Sequence, residues 1–519
     1  MTTSTLNLSQ ELLVGEILKR TSHRFANRVA FKCDDQSITF GELDERATQI
    51  AAWLQSKNVQ ENSKVAFILR NSIAFSELTF GIALSGGVGV PVNFRLSPAE
   101  VAYILDNSDS EIVFIDVAYV PLLTEIKDQV SRLETVVVVH DDGTEHPFTS
   151  YEEVFKEELS YLPCEQLQDH DPAFIMYTSG TTGKPKGAVL SHRNFYINAM
   201  NISHEGKSFI GESIILVPPQ FHIAGLLLTI KGVLTAGMNV LMEDFNPLAI
   251  LQAIEKEKIN TIFLVPAMWN FLFQVPNIKD YDLSSIVTCA TGAAISPVEL
   301  KKAILNYFPN AMLLDHFGQS ETTATTTCLV GEDALRKPSS VGLPLFGVET
   351  RIVDEDMNDV PMGEVGEILY RGPTVMLEYY NNPQATAEAF EGGWFHSGDL
   401  VKKDEDGYIY VVDRKNDMIN SGGENIYPAE IEEILYQIPE ILECAVIGLP
   451  DSKWGERVVA VVVLKENETL EEDAIINYCA EQVASFKKPK EVIFIEQLPR
   501  NSTGKVLKYK LRDSLLQNH

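Results

Sequence analysis

Residues 177–188 read YTSGTTGKPKGA and follow a short apolar run at 173–176. Four hydroxyls (Thr178, Ser179, Thr181, Thr182), two lysines (Lys184, Lys186) and the small Gly180 and Gly183 crowd into one short segment. Backbone N–H donors gathered in a nest and backed by ammonium groups suit a polyphosphate. The pattern is not the G-x-x-x-x-G-K-[ST] loop of common NTPases, because Gly180 and Gly183 stand too close and Pro185 follows Lys184. A Ser/Gly/Thr-rich loop taken alone is more often a connector. The strand-like run before it and the density of donors favour a phosphate cradle.

Other polar segments carry groups that could act with it. Residues 316–322 (HFGQSET) follow an apolar run and bring in the carboxylate of Glu321. Residues 397–399 (SGD) form a turn after the aromatic run 394–396, and residues 421–428 (SGGENIYP) make a second glycine turn. Residues 499–505 (PRNSTGK) put Lys505 in a loop beside the last helix. Singly, each has a plain reading: Glu321 as a carboxylate favoured at a helix N-terminus, Asp399 as a turn former, Lys505 as a solvated lysine.

These segments need a frame to hold them, and alternation supplies one. Residues 65–69, 112–115, 135–139, 214–217, 261–265 and 312–314 read as buried strands. Helices lie between them. Thr39-x-x-Glu42 is a capping box ahead of apolar residues at helical spacing, and Ser97-Pro98-Ala99-Glu100 and Ser296-Pro297-Val298-Glu299 repeat it with proline at the first helical position. The expected class is α/β, with a large N-terminal region of helix-flanked, mostly parallel sheets. The texture turns β-rich at about 342–413, and a mobile C-terminal α+β domain is expected at 414–519, after the polar joint 413–417. The N-terminal domain is thus 1–413.

Composition narrows the class of function. The 42 basic and 73 acidic residues give a formal charge of -31, which argues against nucleic acid and against electrostatic attachment to anionic lipid. The most apolar region, 223–242, is interrupted by Lys231 and glycines and is too short for a membrane span, leaving at most peripheral membrane contact. The first residues lack a secretory signal, and six scattered cysteines without a C-x-x-C pair suit a reducing cytoplasm. No metal-binding cluster stands out, and a homodimer is left open.

In this order and spacing the segments resemble one family, the adenylate-forming enzymes: acyl-CoA synthetases, aryl-CoA ligases, luciferases and peptide-synthetase adenylation domains. The resemblance runs over essentially the whole chain. It implies that a carboxylate attacks the α-phosphorus of ATP, pyrophosphate leaves, and an acyl-adenylate forms. The loop from Thr178 through Ser179, Gly180, Thr181, Thr182, Gly183 and Lys184 to Lys186 would grip the β- and γ-phosphates, and Thr178 with Glu321 would hold Mg²⁺. Phe317, with His316, Gly318, Gln319 and Ser320 around it, would face adenine, opposite Ala293 and Ala294. Asp399 and Arg414 would bind the ribose, and Lys505 would be the catalytic lysine. The family swings its C-terminal domain between half-reactions; Asn416 stands where Asp or Lys is common at the hinge, and Ser421, Gly422 and Gly423 would line the thiol tunnel.

The acid is read from other residues. Amino-acid-activating members commonly place an aspartate after the Phe of the segment that here reads PQFHIAG (219–225), but His222 stands there, as in acyl- and aryl-CoA ligases. His222, Ile223, Gly225 and Trp269 are the expected acyl-pocket residues, and ordinary core is the alternative for each. No carrier domain follows, so coenzyme A is the expected acceptor. Residues 331–337, 401–428 and 447–456 look most like bacterial fatty-acyl-CoA synthetases, so a medium- to long-chain fatty acid is expected. The alternatives are an aryl acid of the coumarate, benzoate or o-succinylbenzoate type, luciferase-like oxidation of the adenylate, and a catalytically inactive nucleotide-binding homologue.

Overall fold

The structure, a computed structural model, describes residues 11–178, 184–294, 296–422, 424–500 and 506–517. By its internal packing the chain divides into two units. The first takes in the chain up to Thr178, Lys184–Glu349 and Tyr370–Phe395; the second takes in Thr350–Leu369 and the chain from His396 onward.

Two large mixed sheets build the first unit, in keeping with the α/β class read from the sequence. One has eight strands, in the order Glu378–Tyr379, Lys186–Ser191, Pro172–Thr178, Val88–Pro91, Lys64–Ile68, Ser110–Asp116, Thr135–Val139, Thr149–Ser150. It is parallel from Pro172–Thr178 onward and antiparallel at the opposite edge. The other has nine strands; its parallel centre runs Met312–Phe317, Thr288–Gly292, Thr261–Phe263, Ile214–Leu216, Asn239–Leu241, Val29–Cys33. Parallel strands are buried on both faces and must be apolar along their length. That is why residues such as 65–68 and 137–139 are almost fully buried and read as unbroken apolar runs.

Two of the three expected capping boxes form. Thr39 and Ser97 each close the expected capping box, accepting from the amides of Glu42 and Glu100. Ser296 does not cap: the helix Val298–Tyr307 begins after Pro297, and the Ser296 hydroxyl lies 3.2 Å from that of Thr291. A tertiary partner outcompetes the local one there. The run 223–242 breaks into the helix Ile223–Leu234 and the strand Asn239–Leu241, and among the described residues no helix is long and apolar enough to cross a membrane.

The second unit holds most of a four-stranded sheet, Glu349–Val353, Gly366–Arg371, Phe395–Lys403 and Ile409–Arg414, and a separate five-stranded, mainly antiparallel sheet around the hairpin Ile441–Asp451/Gly455–Leu464. Strand alternation sorts the hairpin residues onto two cores. Cys444, Val446, Val458, Ala460 and Val462 pack with the helices Pro428–Leu435 and Glu472–Ala480. Ala445, Ile447, Val459 and Val461 pack with Leu498 and with Leu511 of the last helix, Lys508–Gln517.

One buried group in the first unit makes stability pH-dependent. His192, at the start of the helix His192–Glu205, has no exposed surface, and its Nδ1 accepts from the Val14 amide at 3.3 Å. Burial pushes its imidazole down from 6.5 to about 4. Because the folded value lies below the unfolded one, the neutral ring's full contribution is present above about pH 6.5 and is lost as pH falls toward 4. The advantage of the wild type over His192→Gln in urea titration should therefore shrink by about 3 kcal/mol between pH 7 and pH 4; a difference that stays constant with pH contradicts a neutral buried ring.

Candidate active site

The carboxylate of Glu321 sits on a loop that the backbone ties shut. The strands Thr288–Gly292 and Met312–Phe317 run parallel with Gly292 opposite His316, so the segments that follow them leave from the same end of the sheet. A Cβ on Gly292 would lie 2.5 Å from the His316 carbonyl oxygen, so only glycine allows this approach. After Phe317 the chain makes one 3-10 turn, Ser320–Thr322, and returns through left-handed backbone at Thr323 (φ 56) and Ala324 (φ 78). The Thr326 amide donates to the Phe317 carbonyl at 2.8 Å, and the Ala324 amide to that of Gln319 at 3.0 Å. Glu321 is 8% exposed; its Oε1 accepts from the Tyr379 hydroxyl at 2.9 Å, and among the described residues its other oxygen has no partner.

Thr178 and Lys186, which flank the glycine-rich segment, belong to the eight-stranded sheet. Thr178 pairs with Lys186 at the end of the hairpin, where the Thr178 hydroxyl lies 3.5 Å from the Lys186 carbonyl. The strand Glu378–Tyr379 pairs on the other side of Lys186–Ser191. The Lys186 ammonium then lies 5.0 Å from the Tyr379 ring centre, and the Lys184 ammonium 5.3 Å from that of Tyr103. Neither lysine enters an ion pair among the described residues: aromatic faces orient the two cations without neutralising them. Lys186 and Glu321 thus meet at Tyr379, with Thr178 paired to Lys186. Ser179, Gly180, Thr181, Thr182 and Gly183 lie outside the described residues.

The remaining candidates of this unit fall into two groups. Ala293 and Ala294 are exposed just beyond Gly292, with Ala293 left-handed (φ 65). Burial, with the Lys231 charge a smaller contributor, lowers His316 to about 4, so it is neutral at pH 7. His222 caps the helix Ile223–Leu234, its Nδ1 accepting from the Ala224 amide at 3.4 Å, and burial lowers its pKa too. A Cβ on Gly225 would fall 2.1 Å from the Pro219 carbonyl oxygen, so the helix can start there only with glycine. Trp269 has no exposed surface: its indole N–H donates to the Ala290 carbonyl at 3.3 Å and its ring packs against Phe273 and Phe308.

In the second unit the Ser397-Gly398-Asp399 turn is gripped from several sides. Asp399 is opposite Arg414, whose Nε stands 2.7 Å from its Oδ1. Arg414 also donates to the Ser397 carbonyl at 3.2 Å, and the Ser397 hydroxyl to the Ile368 carbonyl at 2.5 Å. Glu367 accepts from the Gly398 amide (3.0 Å) and from Lys415 (2.9 Å), and lies 3.2 Å from the His396 ring. Burial alone would raise the Glu367 carboxyl, but the Lys415 and His396 partners and the Gly398 amide outweigh it and lower its pKa. The Asn416 carbonyl meets Arg512 at 3.5 Å. Ser421 is buried, and Gly422 (φ 67) donates to the Trp454 carbonyl at 2.7 Å; Gly423 and Lys505 lie outside the described residues.

Two residues of this arrangement escape a reading of the chain. Glu367 carries a signal, since a carboxylate inside the strand GEILYR invites a buried partner. Tyr379 carries none, because its contact with Glu321 spans 58 residues. As to a metal, the described residues hold no group of three or more His, Cys, Asp or Glu that could ligate one. One carboxylate with an open oxygen suits a hard cation that keeps water and takes its other ligands from phosphates, as Mg²⁺ does.

Comparison with known proteins agrees with this chemistry. Residues 18–380 match the family model described as AMP-binding enzyme, and residues 430–505 its C-terminal domain. The chain is 35% identical to the long-chain-fatty-acid–CoA ligase FadD13 of Mycobacterium tuberculosis, over 92% of this chain and 93% of that protein. It is also 35% identical to a feruloyl-CoA synthase of Amycolatopsis sp, over 92% and 94%. The fold superposes on o-succinylbenzoate CoA synthetase (MenE) from Bacillus subtilis in complex with the acyl-adenylate intermediate OSB-AMP, with a TM-score of 0.85, 30% identity and coverage of 96% and 98%.

The grip on the Ser397-Gly398-Asp399 turn is testable. Glu367→Gln should cost about 2 kcal/mol in urea titration at pH 7. The wild-type advantage should fade as pH drops below about 4.5, where the carboxyl of the unfolded chain takes up a proton while the folded one, held lower, stays ionised. An undiminished advantage at pH 3.5 contradicts the charge-based grip.

Proposed function

Because the chain belongs to the AMP-binding enzyme family and is an AMP-forming acid–thiol ligase, we propose that it joins a medium- to long-chain fatty acid to coenzyme A, using ATP. A carboxylate oxygen of the acid attacks the α-phosphorus, the bond from that phosphorus to the β-bridging oxygen breaks, and pyrophosphate leaves. The thiol of coenzyme A, giving up its proton, then attacks the acyl carbon, and AMP leaves as the thioester forms.

In this reading the loop 178–186 holds the β- and γ-phosphates, with Lys184 and Lys186 as its cations. Glu321 and Thr178 would hold Mg²⁺, which supplies positive charge against the phosphate oxygens. Phe317 packs on adenine, with Ala293 and Ala294 along its other side, and Asp399 and Arg414 take the ribose hydroxyls. Lys505 stabilises the charge that develops where carboxylate and α-phosphate meet. Residues 414–519 turn about Asn416 between the half-reactions and bring the 421–423 turn to the thiol path.

The observation that carries the alkyl reading is the neutrality around His222. The helix it caps has one charged residue, Lys231, and Glu212 takes up that charge at 2.7 Å inside the core. The helix itself carries no carboxylate for a substrate ammonium, and the sealed ring of Trp269 is withheld from stacking on an aryl acid. An aryl acid is the second reading, supported by the equal identity to the feruloyl-CoA synthase.

A thioester assay across octanoate, palmitate, benzoate, coumarate and succinylbenzoate decides between them. The expected outcome is a higher kcat/KM for an alkyl acid; preference for any aromatic acid over both alkyl acids overturns the substrate assignment, and absence of acid-dependent pyrophosphate release overturns the enzyme. Lys505→Ala should lower acid-dependent pyrophosphate release by ~100-fold or more, yet leave thioester formation from preformed acyl-adenylate largely intact. Equal loss in both half-reactions would remove Lys505 from the adenylation step.

A further inference from the structure

The helix His192–Glu205 lines up three asparagines at i, i+4 and i+7, all nearly or fully buried: Asn194 (3% exposed), Asn198 (0%) and Asn201 (5%). Such spacing puts them on one face, and a buried amide is a costly choice unless its donors are used. Each amide nitrogen here is spent on backbone carbonyls far away in sequence. Asn194 donates to Pro373 (2.6 Å) and Val375 (3.0 Å), and Asn201 to Phe346 (3.0 Å). Asn198 donates to the carbonyls of Thr322 (3.4 Å), Thr323 and Thr325 (3.1 Å). Its Oδ1 is buried with no partner among the described residues, so the carbonyls alone set which way the amide faces.

The carbonyls that Asn198 collects belong to the segment directly after Glu321, where Thr323 and Ala324 take left-handed backbone. Two successive non-glycine residues in that region are strained and persist only if the surroundings hold them. Asn194 works on the facing segment of the same assembly, at Pro373 and Val375. The Met376 amide donates to the Glu321 carbonyl at 2.7 Å, the Thr323 hydroxyl donates to the Thr374 carbonyl at 2.8 Å, and Tyr379 reaches the Glu321 carboxylate. The two segments that embrace Glu321 therefore both hang from one helix face. We propose that this asparagine ladder, with Asn198 at its centre, positions the Glu321 carboxylate for the metal-bound nucleotide: Asn198 is a positioning residue of the ligase, acting through the 321–325 backbone and touching no substrate. The inference rests on the role given to Glu321 under the proposed function.

Its test compares ATP binding by the full-length chain in Mg²⁺ and in EDTA, measured by calorimetry without acid so that no turnover occurs. Asn198→Ala should weaken binding in Mg²⁺ by ~10-fold, the order expected when a buried hydrogen-bonding network loses its donor, and leave binding in EDTA within about twofold. Glu321→Gln should show the same selective loss. The double variant should bind no more weakly than Glu321→Gln alone, because the two residues act as one unit. Asn198→Ser, which keeps a donor, should restore part of the Mg²⁺-dependent affinity and serves if the alanine variant does not fold; Asn194→Ala should give a smaller loss of the same kind. Equal weakening in Mg²⁺ and EDTA, or losses that multiply in the double variant, would mean that Asn198 only stabilises the fold. If Glu321→Gln binds ATP normally in Mg²⁺, the metal role of Glu321 falls and the positioning role falls with it; if Glu321→Gln is defective and Asn198→Ala and Asn198→Ser are both normal, only the positioning role falls.

Discussion

The parallel pairing that sets Gly292 against His316 is the constraint from which the site of the first unit hangs. Parallel neighbours end on the same side of a sheet, and ligands bind in the crevice beyond those ends. Here the two ends deliver the Ala293–Ala294 turn and the Phe317–Thr326 loop side by side. The pairing is tight enough to exclude any side chain at position 292. It is also braced from within, since Trp269 binds the Ala290 carbonyl in one strand and Lys301 pairs with Asp315 in the other. The Phe317–Thr326 loop thus leaves a strand pair braced by large buried neighbours.

Electrostatics divides the lysines of the first unit by task. Lys231 and Lys301 are buried and matched by Glu212 and Asp315, at 2.7 Å each, and so have no charge to offer a ligand. Such buried pairs add little net stability over an apolar replacement, but removing one partner would strand the other. Lys184 and Lys186 are treated differently. In a chain with 73 acidic residues, they lie over tyrosine rings and enter no ion pair among the described residues. Glu321 shares Tyr379 with Lys186: the ring lies under the ammonium and the hydroxyl donates to the carboxylate.

Comparable economy operates in the second unit. Glu367 joins the Gly398 amide, Lys415 and His396, and Arg414 holds both Asp399 and the Ser397 carbonyl. The polar joint that follows is tied as well: Asp413 accepts from the Ala429 amide at 2.9 Å at the start of the helix Pro428–Leu435, and Arg512 reaches the Asn416 carbonyl. Asparagine in place of a charged residue at 416 leaves this backbone contact unaffected, because the contact is made by the carbonyl and not by the side chain.

The one-dimensional sequence by itself determined the α/β class, most strands, the capping boxes at Thr39 and Ser97, and the family to which the chain belongs. These are local properties, written in apolar runs, turn residues and motif spacing. Only the tertiary structure decided which neighbours complete them. It took Ser296 from its helix and gave it to Thr291, sealed Trp269 into the core, brought Tyr379 to Glu321, and turned Asn194, Asn198 and Asn201 from surface-like polar residues into supports for a distant loop. The reason is physical. A periodic pattern reports which face of an element is buried, but a hydrogen bond across tens or hundreds of residues depends on how elements stack, and no spacing along the chain encodes that distance.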